Sequence, residues 1–222
     1  IADRFLDWLE SDPFDVGIMT REAIVEYADG GSWQDAGRNV WERRPEGQNA
    51  GNGSVMRCAP HALFFADAAP DRLVEVSRNS SAITHADPRC TYGCAILNLT
   101  IAGLNRGDEA PLTGALEHVG DNAPDELVAP LHTIAIGDTP DDLQSTGYVV
   151  HTLETALHDA LTADSAEQAI MNAVNRGGDA DTIGAVTGAV AGARFGPDAL
   201  PNRWLDAVEP TGVSFRTCAG LV

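Results

Sequence analysis

The sequence predicts an all-α fold, and three observations lead to this prediction. Apolar residues recur at spacings of three and four along most of the chain, which is the period of one face of an α-helix. No segment shows a convincing alternation of apolar and polar residues, as a half-buried strand would. Turn residues divide the pattern into helix-sized pieces. With 222 residues, 44% of them hydrophobic, the chain suits a single domain with a full core.

Proline, glycine and aspartate separate the predicted helices. Proline lacks a backbone N–H and restricts the residue before it, whereas glycine readily adopts the left-handed conformation common at helix ends. In chain order, the helices and the breaks after them are 2–10 before Asp12-Pro13, 19–28 before Gly30-Gly31, 33–43, 61–68 before Pro70-Asp71, 71–82 before Asp87-Pro88, 89–106 before Gly107-Asp108, 126–136 before Asp138-Thr139-Pro140, 147–163, 165–175, and 182–195 before Gly196-Pro197.

The last predicted helix has a glycine at every fourth position, namely Gly184, Gly188 and Gly192. Each glycine lowers the stability of an isolated helix by about 1 kcal/mol relative to alanine. A packing reason is therefore expected. We predict that a neighbouring helix or the preceding loop approaches this side of the helix closely.

Asp179, Asp181 and Thr182 are candidate metal ligands. They follow the pair Gly177-Gly178, which allows the backbone to turn sharply enough to aim three oxygen atoms at one point. Carboxylate and hydroxyl oxygens are hard ligands that suit Mg²⁺ or Mn²⁺. An ordinary helix N-cap also places Asp or Thr at such a position, so both interpretations are open on these residues alone.

A second cluster surrounds Gly51-Asn52-Gly53 and continues through Ser54 to Arg57. Backbone N–H groups freed by the glycines, a helix N-terminus and the Arg57 guanidinium could together hold a phosphate or a ribose. The alternative is a plain turn in which Ser54 is the N-cap. The spacing differs from that of a P-loop, because no Gly-Lys-Ser/Thr follows.

His85 and Tyr148 are further candidates. His85 lies at a polar junction between two predicted helices, and Tyr148 precedes the apolar positions of another. An aromatic ring at a helix start can stack on a nucleotide base. Both residue types are also common in cores, so a structural role is the alternative for each.

The composition is strongly acidic. All 14 basic residues are arginine, Asp is more frequent than Glu, and the formal net charge is −19. Molar salt shortens the Debye length to about 3 Å and screens such repulsion, so we expect a haloarchaeal or similarly salt-adapted source. The charge argues against nucleic acid or an anionic membrane surface as a partner, because both require a basic patch.

The cysteines bear on the cellular compartment, and the first residue bears on the extent of the chain. Cys58, Cys90, Cys94 and Cys218 contain no Cys-x-x-Cys pair, so reduced core residues in a cytoplasmic protein are expected, with a zinc site as the alternative. No signal peptide or membrane-length apolar run is visible. The sequence begins at Ile1, which leads us to expect an upstream segment outside the given sequence.

The combination of motifs resembles the ADP-ribosylglycohydrolase family. The resemblance covers roughly residues 1–208. The motifs occur in the family's order, and they are Gly51 to Arg57, Ser81 to His85, Gly147 to Leu153, and Gly177 to Thr182 followed by the three spaced glycines. The family fold is an all-α orthogonal helical bundle around a two-metal centre.

The resemblance implies a role for each matched residue. Asp179, Asp181 and Thr182 would bind the Mg²⁺ or Mn²⁺ pair, and Asp179 or Asp181 would assist catalysis. The residues lining the ADP-ribose groove would be Asn52, Gly53, Ser54, Arg57, His85 and Tyr148. The implied reaction is hydrolysis of the glycosidic bond that joins ADP-ribose to a protein side chain or to a small conjugate, through an oxocarbenium-like state.

The chain departs from the family pattern at its start. Family members begin with a Gly-Asp-x-x-Gly segment and a Thr/Ser-Asp-Asp-Thr motif, neither of which precedes Ile1 here, so the metal shell is expected to be half built. The acidic residues Asp138, Asp141 and Asp142 are expected to form a solvated loop instead. Three functions are compatible with this: a hydrolase that needs the upstream segment, an ADP-ribose-binding protein without turnover, and a structural relative of the crystallin type.

Overall fold

The computed structural model describes residues 1–207 and confirms the all-α prediction. Within these residues the backbone forms helices and turns, and no strand beyond one isolated antiparallel bridge between Gly51 and Tyr148. In chain order the helices are α1 Ala2–Glu10, α2 Ile18–Ala28, α3 Ala36–Arg43, α4 Val55–Cys58, α5 Pro60–Phe64, α6 Pro70–Ala82, α7 Pro88–Arg106, α8 Pro111–Val119, α9 Asp125–Ala135, α10 Val149–Thr162, α11 Ala166–Asn175, α12 Ala180–Phe195 and α13 Asn202–Leu205.

The central helix is α7, which is buried from Cys90 to Gly103 and packs against α6, α8, α10 and α12. A helix surrounded on all sides needs apolar or small residues on every face. Gly93 permits the contact with α10, because a Cβ there would lie 2.7 Å from Leu153 Cδ1. The Asp87 side chain caps the N-terminus, and Gly107 ends the helix with a φ of 79°.

The core is formed where α7, α9, α10 and α12 meet. Its largest fully buried side chains include Ile96, Leu97, Leu127, Leu131, Leu153, Leu157 and Ile183. Truncating one such residue to alanine costs about 2–5 kcal/mol. This core forms the support on which the connecting loops before α4, α10 and α12 are held.

The helix predictions differ from the structure chiefly at two places, and the short helices α4 and α13 are also absent from the prediction. The helix α8 is absent from the prediction, although Leu112, Ala115, Leu116 and Val119 are buried at helical spacing along it. The predicted helix 61–68 is instead the short α5, which begins at Pro60 and follows α4 after one residue. Pro60 lacks an N–H for the preceding turn, and this accounts for the interruption.

The glycines of α12 agree with the close-packing prediction at one position. A Cβ on Gly184 would lie 2.8 Å from Val174 Cγ1 of α11, whereas on Gly188 it would make only ordinary contact at 3.7 Å with Ile170 Cδ1. Around Gly192 nothing lies within 4 Å. The neighbouring element is therefore α11, and only Gly184 is required by packing.

Cys58, Cys90 and Cys94 are free and buried, as predicted, and Cys218 lies outside the described residues. Across residues 1–207, no helix combines the length and the apolar character that crossing a membrane requires.

Candidate functional site

The Gly51 to Gly53 loop is joined to the segment that leads into α10. The Gly51–Tyr148 bridge is flanked by hydrogen bonds from Asn52 N to Gly147 O and from Val149 N to Ala50 O, each 3.0 Å long. These backbone bonds satisfy groups that a buried loop would otherwise leave unpaired. The first and third sequence motifs, Gly51 to Arg57 and Gly147 to Leu153, therefore meet at one place.

The Asn52 side chain connects this junction to the candidate metal loop. Its Nδ2 donates to Thr152 Oγ1 at 2.8 Å and to Asp179 Oδ2 at 2.6 Å, and the residue is buried. The bond to the carboxylate is charge-assisted and is therefore stronger than a neutral one. Asn52 and Asp179 are 127 residues apart in the chain.

Asp179 occupies the N-cap position of α12, but its side chain makes no capping hydrogen bond. The ordinary-cap interpretation predicts a bond from the carboxylate to a backbone N–H of the first turn, and the carboxylate instead accepts from Asn52. Ser54 behaves in the same way at the start of α4, because its Oγ accepts from Ser81 Oγ at 2.9 Å. The plain-cap alternative is thus wrong for both side chains.

The glycine pair turns as the sequence predicts. Gly177 and Gly178 have φ values of 70° and 61°, in the left-handed region that favours glycine. A Cβ on Gly178 would overlap the Ser145 carbonyl oxygen, and that same oxygen accepts the Asp179 N–H at 3.3 Å. The loop is therefore pressed against Ser145, which brings the backbone of Asp179 into position.

An ion pair between the exposed Arg176 and the buried Asp159, which sequence reasoning missed, anchors the same loop. Arg176 donates from Nε to Asp159 Oδ2 at 2.9 Å and from Nη2 to Asp159 Oδ1 at 2.7 Å. The Asp159 side chain is only 1% exposed. Its hydrogen bonds raise the pKa of Arg176 above the ordinary value for arginine. This two-point contact fixes the start of the glycine turn to α10.

Asp181 and Thr182 lie in the first turn of α12, where Asp181 is exposed and Thr182 is buried. With Asp179 they offer two carboxylates and one hydroxyl. Among residues 1–207 no three His, Cys, Asp or Glu side chains form a group that could hold a metal ion. The donor chemistry fits part of a Mg²⁺ or Mn²⁺ shell, and water or further ligands would have to complete it. Asp138, Asp141 and Asp142 are exposed, in agreement with the solvated loop predicted for them.

His85 lies against the glycine loop. A Cβ on Gly53 would be 2.8 Å from His85 Cε1, and one on Gly51 would be 3.6 Å from Nε2. Burial, and then the charge of Arg57, lower the pKa of His85 to about 3, so the ring is neutral. Its Nδ1 is 2.8 Å from Thr84 Oγ1. That hydroxyl already accepts from Arg57, which favours its donating to Nδ1 and leaves the ring proton on Nε2, facing the loop.

Arg57 is engaged inside the protein. It donates to Thr84 Oγ1 at 2.7 Å and to Ser80 O at 3.4 Å, and its Cζ lies 4.6 Å from the centre of the Phe5 ring. Burial lowers the pKa of this guanidinium. In this arrangement Arg57 connects α4 to α6 and α1, and it supports the glycine loop through Thr84 and His85.

Tyr148 is held by a polar network. Its hydroxyl donates to Glu126 Oε1 at 2.5 Å and accepts from Arg89 Nη1 at 3.3 Å. Burial and then the bond to Glu126 raise the pKa of Tyr148 to about 12. The ring meets His151 edge-on at 5.0 Å. Its orientation is therefore fixed from two sides.

Arg89 is the centre of that network and was also missed. It contacts the buried Asp87 through Nε at 2.9 Å and Nη2 at 2.8 Å, and its Nη1 donates to Glu126 at 2.9 Å. The Asp87-Pro88 pair was interpreted only as a helix start. The local signal that could have indicated this pairing is the arginine two positions after Asp87.

The sequence of the chain is similar to those of known ADP-ribosylglycohydrolases. The sequence profile described as ADP-ribosylglycohydrolase matches residues 1–220. The chain is 33% identical over 215 residues to the ADP-ribosyl-[dinitrogen reductase] glycohydrolase of Rhodospirillum rubrum, covering 94% of this chain and 65% of that protein. It is 30% identical over 199 residues to the ADP-ribosylarginine hydrolase Tri1 of Serratia proteamaculans, covering 87% of this chain and 50% of that protein.

The fold has a solved counterpart. A chain of an ADP-ribosylglycohydrolase-related protein complex superposes with a TM-score of 0.75 at 31% identity, covering 94% of this chain and 68% of that one. The present chain thus spans between half and about two thirds of the length of these relatives. On the strength of the profile match over nearly all its residues, the chain belongs to the ADP-ribosylglycohydrolase family.

Proposed function

We propose that this protein hydrolyses the glycosidic bond between ADP-ribose and an acceptor, which is a modified protein side chain or a small conjugate. The hydrogen bond from Asn52 to Asp179 carries the proposal, because it joins the glycine loop and the aspartate loop into one polar site. The names of the relatives add support: one acts on ADP-ribosyl-[dinitrogen reductase] and another on ADP-ribosylarginine.

The metal assignment is part of this proposal. Asp179, Asp181 and Thr182 would hold Mg²⁺ or Mn²⁺ together with ligands from outside residues 1–207 or from water. When bound, such ions supply positive charge that polarises a water and orients hydroxyl groups. Asn52 keeps one oxygen of Asp179 occupied, so the other oxygen is the one available to a ligand.

The side chains of the site would also stabilise, support and orient the ADP-ribosyl substrate. Asp179 and Asp181 place negative charge beside the position where the anomeric carbon becomes positive, and one of them accepts the proton of the attacking water. His85 supports the glycine loop as a neutral ring. Tyr148, with its hydroxyl fixed by Glu126, provides an aromatic face for the adenine.

The test is release of ADP-ribose from ADP-ribosyl-arginine and ADP-ribosyl-serine peptides, with Mn²⁺ in molar KCl. Because two divalent ions need more ligands than Asp179, Asp181 and Thr182 offer, we expect little turnover by the 222 residues alone. Turnover should appear when the chain is extended upstream through a Thr/Ser-Asp-Asp-Thr motif. In the extended form, Asp181→Ala should abolish turnover and Asp164→Ala, an exposed carboxylate just before α11, should not.

Calorimetric titration with Mn²⁺ separates the hypotheses for the chain itself. Weak binding that is lost in both Asp179→Ala and Asp181→Ala, but kept in Asp164→Ala, would support the metal assignment. Unchanged Mn²⁺ binding in the first two variants would contradict it. ADP-ribose binding without turnover by the extended form would favour the alternative of a non-catalytic binding protein.

A further inference from the structure

A cavity lies between α3, α6 and the start of α7, away from Asn52 and Asp179. Its volume is about 490 Å³, within the range of small-molecule sites. Arg38 and Trp41 of α3 line it, together with Arg78 and Asn79 of α6 and Thr91 of α7. It shares no lining residue with the Asn52 and Asp179 site.

The two arginines of this cavity are unusual for this protein. Most arginines in residues 1–207 are paired with carboxylates, as in Arg89 with Asp87 and Arg176 with Asp159. Arg38 and Arg78, in contrast, have no ion-pair partner within the described part of the chain. Both arginines face the same cavity, whose other charged lining residues are Asp71 and Glu75.

The Arg78 side chain is held in place by an aromatic ring, although one of its hydrogen-bond donors lacks a partner. Its Cζ stacks 4.0 Å from the centre of the Tyr92 ring, and its Nε is buried without a hydrogen-bond partner among residues 1–207. A buried donor left unpaired costs about 1–3 kcal/mol. Because Nε is closed off, the Nη groups of Arg78 and Arg38 are the atoms left for a ligand, and arginine guanidinium groups match phosphate and carboxylate oxygens in geometry.

Two carboxylates, Asp71 and Glu75, also line the cavity, and each has a nearby basic side chain. Asp71 is 2.9 Å from His118 Nε2, and Glu75 pairs with Arg72 at 2.7 Å. Glu75 therefore has an ion-pair partner outside the cavity, whereas the Asp71 contact is an ion pair only when His118 is protonated. Arg38 and Arg78 have no carboxylate partner among residues 1–207. Trp41 adds a flat apolar wall, and its ring is fixed because Nε1 donates to Asp87 Oδ2 at 3.0 Å.

We propose that this cavity binds a small ligand bearing a phosphate or carboxylate group, with the oxyanion on Arg38 and Arg78 and a planar ring against Trp41. The proposal is independent of the glycosidic reaction. The ligand is identified only by its oxyanion and its ring, and the experiment must distinguish a phosphate compound from a carboxylate compound.

Calorimetric titrations with phenyl phosphate, benzoate and inorganic phosphate test the proposal. We expect phenyl phosphate or benzoate to bind, with whichever is tighter identifying the anion, and inorganic phosphate to bind more weakly because it lacks the ring. Arg38→Gln and Arg78→Gln should each weaken binding at least tenfold. Trp41→Phe should weaken binding of the ring compounds more than that of inorganic phosphate.

Two variants serve as controls. Arg21→Gln removes another arginine without an ion pair in residues 1–207, but one that lines a different cavity, so binding should be unchanged. Asp179→Ala should also leave binding unchanged, which separates this site from the proposed hydrolytic one. Arg38 is exposed, so Arg38→Gln tests the site even where Arg78→Gln impairs folding. Equal affinity in wild type and Arg38→Gln, or no binding of any probe at 10-fold molar excess over millimolar protein, would overturn the proposal.

Discussion

Gly178 shows how a single backbone conformation determines the position of a functional side chain. Its φ of 61° and its contact with Ser145 leave no room for a Cβ, whereas Gly177 has a similar φ of 70° with nothing within 4 Å. We expect Gly177→Ala to lower the free energy of unfolding by about 1 kcal/mol, which is the usual left-handed penalty. Gly178→Ala should lower it by roughly twice that amount or more, because the methyl group also displaces Ser145.

Denaturant unfolding of the two variants at one KCl concentration measures this difference. The pair is matched because the residues are adjacent and differ mainly in the space around them. Equal losses of stability in both would mean that the Ser145 contact relaxes freely, and the loop would then not be held as described.

His85 makes a pH dependence testable. Its pKa is lowered to about 3 in the folded protein, against about 6.5 in an unfolded chain. Between these values the unfolded state binds a proton that the folded state does not, so stability falls as the pH drops from about 6.5 towards 3. The contribution is at most about 1.4 kcal/mol per pH unit.

Unfolding of the wild type and of His85→Gln between pH 4 and 8 would reveal this contribution as a shallower slope in the variant. Exposed His132, changed to Gln, is the control and should keep the wild-type slope. A slope that is the same in His85→Gln would contradict a neutral, buried imidazole.

At the scale of the helix, α12 contains one glycine with a close neighbour and another with open space around it. Gly184 is required because Val174 of α11 occupies the space of a Cβ, but Gly192 has open space around it. We expect Gly192→Ala to raise the free energy of unfolding by about 0.5–1 kcal/mol through helix propensity. Gly184→Ala should be neutral or destabilising, since Val174 must move. Thermal unfolding of both variants would check the order, and a stabilising Gly184→Ala would contradict the packing described.

Helix prediction from this sequence agrees with the structure where apolar residues recur at helical spacing and the ends carry strong breakers. The predicted 89–106 and 165–175 correspond closely to α7 and α11. α8 carries the same periodicity but was overlooked, because it is short and begins at a proline that also marks a loop. The division between α4 and α5 depends on Pro60, which the prediction placed outside the helix.

At the scale of the whole molecule, the charge of −19 predicts a strong response to salt. Repulsion between like charges weakens the compact state when screening is poor, and molar salt removes it beyond a few ångströms. We therefore expect the unfolding midpoint to rise steadily from about 0.1 to 3 M KCl. Sucrose at matched water activity is the control for non-ionic effects, and a flat response to KCl would remove the argument for salt adaptation.

The candidate site was predictable to the extent that its residues stand in short motifs. The glycine pair before Asp179 and the glycines beside Asn52 predict turns directly from the sequence. The partners that hold these motifs could not be predicted, because Asp159 is 17 residues from Arg176 and Arg89 is 59 residues from Tyr148. Pairing of that kind depends on the fold rather than on local pattern.

The bond between Asn52 and Asp179 closes a loop of 127 residues, and this has a consequence for the order of folding. Closing so long a loop is entropically unfavourable until much of the intervening chain is already structured. We therefore infer that the transition state for folding lacks this contact. Asn52→Ala should then leave the refolding rate nearly unchanged and accelerate unfolding, as measured by stopped-flow kinetics. A ligand that binds this junction would by the same reasoning lengthen the lifetime of the native state without making it form any faster.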